Sequence, residues 1–252
     1  MPRYRLDVEF DGTPYVGWQR QDNGPSVQGA LEQAGLQLTQ STASCVGAGR
    51  TDAGVHALCM TAHIDLAKAM PEDTVRDGLN AHLRPQPVSV LRAARASDDW
   101  HARFTCHRRH YLYRILSRRS PPALTSRKVW HVLGPLDVSA MTEAARHLTG
   151  KHDFTTFRSV HCQSASPVKT LSSVEVEQQG EEVHFRLHAP SFLHNQVRSI
   201  VGTLAQVGLG RWSPEDVKTA LIAADRSQCG PVAPASGLYF AKADYPETDE
   251  FT

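Results

Sequence analysis

The sequence predicts an α+β protein made of two units that repeat a similar order of strands and helices. Three observations carry this. Tyr4, Leu6, Val8 and Phe10 alternate with Arg5, Asp7 and Glu9, the two-residue period of a strand with one face in a core. Val27, Ala30, Leu31, Ala34 and Leu38 recur at helical spacing. Beyond the Asp98-Asp99 pair, strand, helix, hairpin and helix patterns run again. With 252 residues and 40% of them apolar, the chain has enough material for one large core or two small ones.

Each element has its own justification. Pro25-Ser26 is a start signal for the helix through Leu38, and a further strand is expected to lead into the glycine-rich stretch at 47–54. Residues 61–66 read as a strand, Pro71 opens a helix whose apolar side holds Val75, Leu79 and Leu83, and residues 88–91 are extended. In the second half, residues 109–116 read as a strand and Val138, Met141, Ala145 and Leu148 as a helix face. Val174 and Val176, then Val183, Phe185 and Leu187, alternate across Gln179-Gly180 as a hairpin. Leu193, Val197, Ile200, Val201, Leu204 and Val207 mark a helix, Pro214 begins another over 215–222, and residues 237–245 close as a strand.

Composition excludes several classes. The first ten residues alternate charged with apolar, and no apolar run approaches about 18 residues, so neither a signal peptide nor a membrane span is expected and the protein is placed in the cytoplasm. Five scattered cysteines form no C-x-x-C pair, which argues against a disulfide framework. Thirteen histidines show no metal-ligand spacing, so no metal is expected. Net charge is only +1, yet residues 100–136 contain no acid while Arg103, Arg108, Arg109, Arg114, Arg118, Arg119, Arg127 and Lys128 accumulate among Phe104, Tyr111, Tyr113 and Trp130. Arginines interleaved with aromatics suit phosphates and unstacked bases. A solvated strand face with core aromatics would show the same composition. Acids gather elsewhere, at 175–182 and in the Glu247 to Glu250 tail.

The most informative stretch runs Gly47-Ala48-Gly49-Arg50-Thr51-Asp52-Ala53-Gly54-Val55-His56. Between Glu32 and Asp65, Asp52 is the only acid. Its small neighbours let backbone and substrate approach closely, and Arg50 favours an ionised carboxylate. Those features suit a charged nucleophile in a cleft, although a turn aspartate capping its own loop is the ordinary alternative. Most glycoside hydrolases need two carboxylates flanking the bond, and this turn offers one.

Residues 49–56 resemble the catalytic signature of the tRNA pseudouridine synthases of the TruA type. Further matches follow in the family's order: Asp11-Gly12 to Tyr15, Gly17-Trp18-Gln19-Arg20, Ser26-Val27-Gln28, His101-Ala102-Arg103-Phe104, Tyr111 with Tyr113, Asp153-Phe154-Thr155 to Phe157, Cys162-Gln163-Ser164, Phe192-Leu193-His194 through Val197-Arg198, and Gly237-Leu238-Tyr239. The resemblance covers nearly the whole chain. It implies two ferredoxin-like or RNA-recognition-like halves, residues 1–103 with the Asp52 turn and 104–252 with Tyr111 and Arg198, whose antiparallel sheets join around a central active-site cleft. The implied activity is isomerisation of uridine to pseudouridine in the anticodon stem-loop of tRNA, without a cofactor, by a homodimer.

By the same resemblance Asp52 is the catalytic carboxylate and Arg198 its basic partner. Tyr111 stacks on the uracil, Leu238 packs the other side of the base, and Arg50 reaches into the RNA or clamps a phosphate. Asp11, Tyr15, Gln19 and Arg20 surround a turn where side chains can contact RNA. His110 and Leu112 depart from the family by standing where basic residues are common, which bears on phosphate contacts. A synthase for another RNA, or a non-catalytic RNA-binding protein, is the competing expectation, and the presence of both Asp52 and Arg198 speaks against the latter.

Overall fold

The structure, a computed structural model, describes residues 1–246. The Glu247 to Glu250 tail lies outside the described residues. In chain order the elements are β1 (Arg3–Phe10), α1 (Val27–Thr39), β2 (Ser44–Gly47), β3 (His56–Asp65), α2 (Glu72–Leu83), β4 (Val88–Ala96) and β5 (Arg108–Ser117). Then come β6 (Trp130–Val132), α3 (Val138–Arg146), β7 (Gly150–Asp153), β8 (Val168–Leu171), β9 (Ser173–Gln179), β10 (Glu182–Ala189), α4 (Gln196–Gly208), α5 (Pro214–Ala223) and β11 (Leu238–Asp244). The architecture is mixed α+β. It divides into two units, Met1–Arg109 with the residues from Tyr239 on, and His110–Leu238.

The first unit has the β-α-β-β-α-β order of ferredoxin-like folds. Its strands lie β4-β1-β3, all antiparallel, with β2 antiparallel against one end of β3 (Gly47 opposite Ala62). At the other end of β3, β11 runs parallel, Tyr239 opposite His56 and Phe240 opposite Ala57, so this sheet is not wholly antiparallel. The alternation in β1 resolves as expected: Tyr4, Leu6, Val8 and Phe10 are buried with Met60, Ala62 and Ile64 of β3. Helix α1 starts where Ser26 accepts a hydrogen bond from the Gly29 N–H, and Pro71 precedes α2, whose buried residues are Val75, Leu79 and Leu83.

The second unit follows the order β5, α3, β9, β10, α4, with β5 beside β10 and β10 antiparallel to β9. The hairpin turns at Gly180, whose φ of +61° is one that glycine adopts without cost. Short β6 runs parallel to β5, and β7–β8 form a separate antiparallel pair; the sequence pattern marks none of these three strands. Asp137 caps α3, and a reciprocal Ser213–Asp216 box caps α5. Helices α3 and α4 approach closely at Gly208, where a Cβ would lie 2.6 Å from Met141 Sδ. All five cysteines are unpaired, and no helix among the described residues is long and apolar enough to cross a membrane.

Candidate active site

In the first unit, Asp52 sits on a loop between β2 and β3 that is fixed at both ends. At its start, the Ala48 N–H donates to Thr61 O at 2.8 Å. At its end, Asp52 forms an isolated antiparallel bridge with Gly17, the Trp18 N–H donates to Thr51 O at 3.1 Å, and the Val55 N–H donates to Asp52 O at 3.2 Å. The approach is close enough to require glycine: a Cβ on Gly17 would collide with Thr51 O, one on Gly12 with Val55 O, and one on Gly47 would lie 2.6 Å from the Trp18 ring. Gly17 also has φ +124°, where side chains are strained. Asp52 itself is half-buried and Arg50 is exposed.

The turn at residues 11–20 braces that loop. Asp11 Oδ1 accepts from the Thr13 N–H at 2.9 Å and from its hydroxyl, and lies 3.0 Å from Nδ1 of buried His56. Tyr15 is buried, and its hydroxyl reaches Gln86 Oε1 at 3.3 Å. Asp11 is partly exposed and Tyr15 buried, whereas Gln19 and Arg20 are exposed. Gln19 lines a pocket of about 170 Å³ with Trp18, Arg50 and Arg103, so the two arginines flank one opening within the first unit.

Residues 101–106 are held from behind. The Ala102 N–H donates to His63 Nδ1 at 3.1 Å, and the Tyr245 hydroxyl donates to Ala102 O at 2.6 Å. Nδ1 of His101 accepts from the Arg103 and Phe104 N–H groups at 3.1 and 3.3 Å, leaving Phe104 stacked on the His101 ring and 77% exposed. Burial, with help from the Arg3 and His101 charges, holds the His63 imidazole down to about 4, so it stays neutral and free to accept. Of the basic tract, Arg103 and Arg108 are exposed, but Arg109 turns inward. Its guanidinium donates to Ala48 O (Nε 3.2 Å, Nη2 3.0 Å), to Cys106 O (3.0 Å) and to Arg103 O (2.6 Å). Arg114 and Arg118 are likewise engaged, with Glu182 and Glu181.

In the second unit, Arg198 and Tyr113 both bond to the segment at 233–234, which runs on to Leu238. Arg198, in the first turn of α4, donates from Nε to Ala233 O at 2.7 Å and from Nη1 to Asn195 Oδ1 at 3.0 Å, while the Ala233 N–H returns a bond to Arg198 O. The next carbonyl, Pro234 O, accepts from the Tyr113 hydroxyl at 2.7 Å. Gly237 then lies flat on Tyr113, a Cβ there coming within 2.6 Å of the ring, and Leu238 follows, 6% exposed. The two tyrosines therefore part company: Tyr113 is wholly buried, while half-buried Tyr111 packs edge-on against Phe192 at 5.0 Å. The sequence pattern singles out neither Asn195 nor the 233–234 carbonyls. Asn195 carries φ +62°, a conformation asparagine tolerates better than most residues, and that is its one local signal.

No group of three or more His, Cys, Asp and Glu side chains placed to hold a metal occurs among the described residues. What the arrangement offers is one carboxylate on a rigid loop in one unit, and an aromatic ring, a fixed guanidinium and an apolar side chain in the other.

A family model described as tRNA pseudouridine synthase matches residues 8–105 and 144–246, and the chain belongs to that family. The tRNA pseudouridine synthase A of Maricaulis maris (strain MCS10) is 58% identical over 246 residues, covering 98% of this chain and 99% of that protein. Proteins of the same name from Sinorhizobium fredii (strain NBRC 101917 / NGR234) and Rhodospirillum centenum (strain ATCC 51521 / SW) are each 58% identical, over 97% of this chain and 100% of theirs. Among solved structures, a Cbf5-Nop10-Gar1 complex matches 80% of this chain and 45% of that one at 12% identity and a TM-score of 0.34, a likeness too slight to bear on the fold. Membership makes the chain an isomerase, since uridine and pseudouridine hold the same atoms.

Proposed function

We propose that this chain converts uridine to pseudouridine in the anticodon stem-loop of tRNA, with Asp52 as the catalytic carboxylate. The observation that carries the reading is the Asp52 loop, whose single acid is half-buried on backbone fixed from both sides by glycine contacts. Such a loop keeps a reacting oxygen in place while the base moves. The reaction breaks the bond from ribose C1′ to N1 of uracil, turns the detached base, joins C1′ to C5, moves the C5 proton away and leaves N1 protonated. An ionised Asp52 can attack C1′, attack C6, or take a sugar proton on a glycal route.

In this reading residues 1–103 supply Asp52 to one extruded nucleotide and residues 104–252 supply Tyr111, Leu238 and Arg198. Tyr111 stacks on the uracil and its hydroxyl relays the C5 proton, Leu238 covers the opposite face, and Arg198 pairs with Asp52. Support comes from the half-burial of Tyr111 and from the bonds that hold Arg198 to Ala233 and Asn195. Arg50 enters the RNA or grips a phosphate, for which an exposed, long and planar side chain is suited. The family resemblance supports a cytoplasmic homodimer that needs no cofactor and binds tRNA across both subunits.

The experiment follows tritium placed at uridine C5. The wild type should release it to water in step with pseudouridine, with the RNA chain intact and no added nucleotide or metal. Asp52→Asn keeps the volume but not the charge, and should bind tRNA while releasing essentially no tritium. Turnover by folded, deamidation-free Asp52→Asn overturns the assignment, and free uracil as product would identify a hydrolase.

A further inference from the structure

Arg109 belongs to the acid-free tract that suggests phosphate binding, yet its guanidinium is directed at three backbone carbonyls of its own unit. One of them, Ala48 O, lies four residues before Asp52, and Ala48 is fully buried. The others, Arg103 O and Cys106 O, belong to the segment held by His63 and Tyr245. A guanidinium is the one side-chain group with five donors in a rigid planar fork, and here the fork joins a segment anchored elsewhere to the start of the Asp52 loop. Between Ala48 and the Gly17–Trp18 contacts at Thr51 and Asp52, only Gly49 and Arg50 intervene. Fixing Ala48 therefore fixes where Arg50 and Asp52 project.

We propose that Arg109 is a positioning residue for the isomerisation: it sets the Arg50–Asp52 segment through the Ala48 carbonyl and holds Arg103 in register with it, and it is not a phosphate contact. The proposal rests on the reading of Asp52 as the reacting carboxylate.

Arg109→Lys is the primary variant because it keeps the charge and most of the stem but cannot reproduce the fork; Arg109→Gln is the second. Both are compared with wild type and Asp52→Asn for tRNA affinity across a salt series, for single-turnover tritium release at saturating enzyme, and for hydrogen exchange of the 49–53 amides. Positioning predicts that Arg109→Lys binds tRNA within about twofold of wild type with the same salt slope, reacts about 10- to 100-fold more slowly, and exchanges faster at 49–53. A role confined to global stability would lower the melting temperature and leave the rate per folded molecule intact, which overturns the proposal. So would weakened binding with the salt slope reduced by about 0.7–0.9 and full rate at saturation, the signature of a lost phosphate contact. A wild-type rate in Arg109→Lys with unchanged exchange also overturns it. Equal release by Asp52→Asn and wild type removes the underlying reading instead, and shows in the same assay independently of any Arg109 result.

Discussion

Gly17→Ala puts one methyl group where the backbone of the Asp52 loop already is. The new Cβ would overlap Thr51 O and stand 3.3 Å from Asp52 C and 3.4 Å from Thr51 C, while φ at this position is +124°. Holding a residue with a side chain in so sparsely populated a region costs about 1–3 kcal/mol. Overpacking against backbone that cannot swing aside adds about 1–3 kcal/mol. The expected loss of about 2–6 kcal/mol corresponds to a fall of about 5 °C or more in Tm for a chain of this size. To relieve the overlap the loop must retreat by roughly an ångström, and a displacement of that size costs on the order of 10²-fold in rate. Thermal melts and single-turnover tritium release at saturating enzyme read the two effects separately. Gly180→Ala is the control, because φ there is also positive, at +61°, but nothing lies within 4 Å of the added Cβ. It should lose about 1–2 kcal/mol of stability and no rate. A Gly17→Ala protein that melts and reacts like wild type would refute the account of how Asp52 is held.

The remaining expectations concern the tyrosines, a buried histidine and the exposed arginines. Tyr113→Phe leaves the part-buried Pro234 O without its 2.7 Å donor and should cost about 0.5–1.5 kcal/mol, whereas Tyr111→Phe should melt like wild type and slow isomerisation by about 10²-fold or more through the lost proton relay; equal melting losses would reject this division. His63 has its folded-state value pushed down to about 4, so its contribution to stability is complete above the unfolded value near 6.5 and is lost as pH falls from there toward 4. Between pH 7 and pH 5 this amounts to about 2 kcal/mol relative to His63→Asn, whose amide oxygen can still accept from Ala102, and denaturant melts showing no such difference would refute it. Arg108 is exposed, so Arg108→Ala should reduce the slope of log K against log salt for tRNA by about 0.7–0.9 with little change in saturated rate, and an unchanged slope would remove it from the RNA face.

Much of this was legible because the responsible forces are local. A half-buried strand must alternate, which marks β1, β9 and β10, and a proline or a capping serine marks the starts of α1, α2 and α5. Leu148 and Leu193 satisfy the helical period yet lie just outside α3 and α4, because burial continues into the flanking turns. The short strands β6, β7 and β8 are three or four residues each, too brief for a period to register. At the candidate site, the motif announces Asp52 and its glycines, but the partners of those glycines are distant in sequence. Composition also misjudges Arg109: a count of charges cannot tell a guanidinium facing solvent from one closing on the Ala48 carbonyl 61 residues away.

Among the described residues, the strand beside the Asp52 loop is the last in chain order. Tyr239, whose ring lies 4.9 Å from that of His56, and Tyr245, which binds Ala102 and lies under the Arg5 guanidinium, are synthesised after every residue of the second unit. Domains generally fold in the order in which they leave the ribosome. Here the first unit cannot finish in that order, for a nascent chain that stops short of Tyr239 has β1 to β4 but lacks the strand along the lower end of β3. Completion of the carboxylate's surroundings thereby follows synthesis of the whole second unit, so that Asp52 acquires its final setting only after Tyr111 and Arg198 exist.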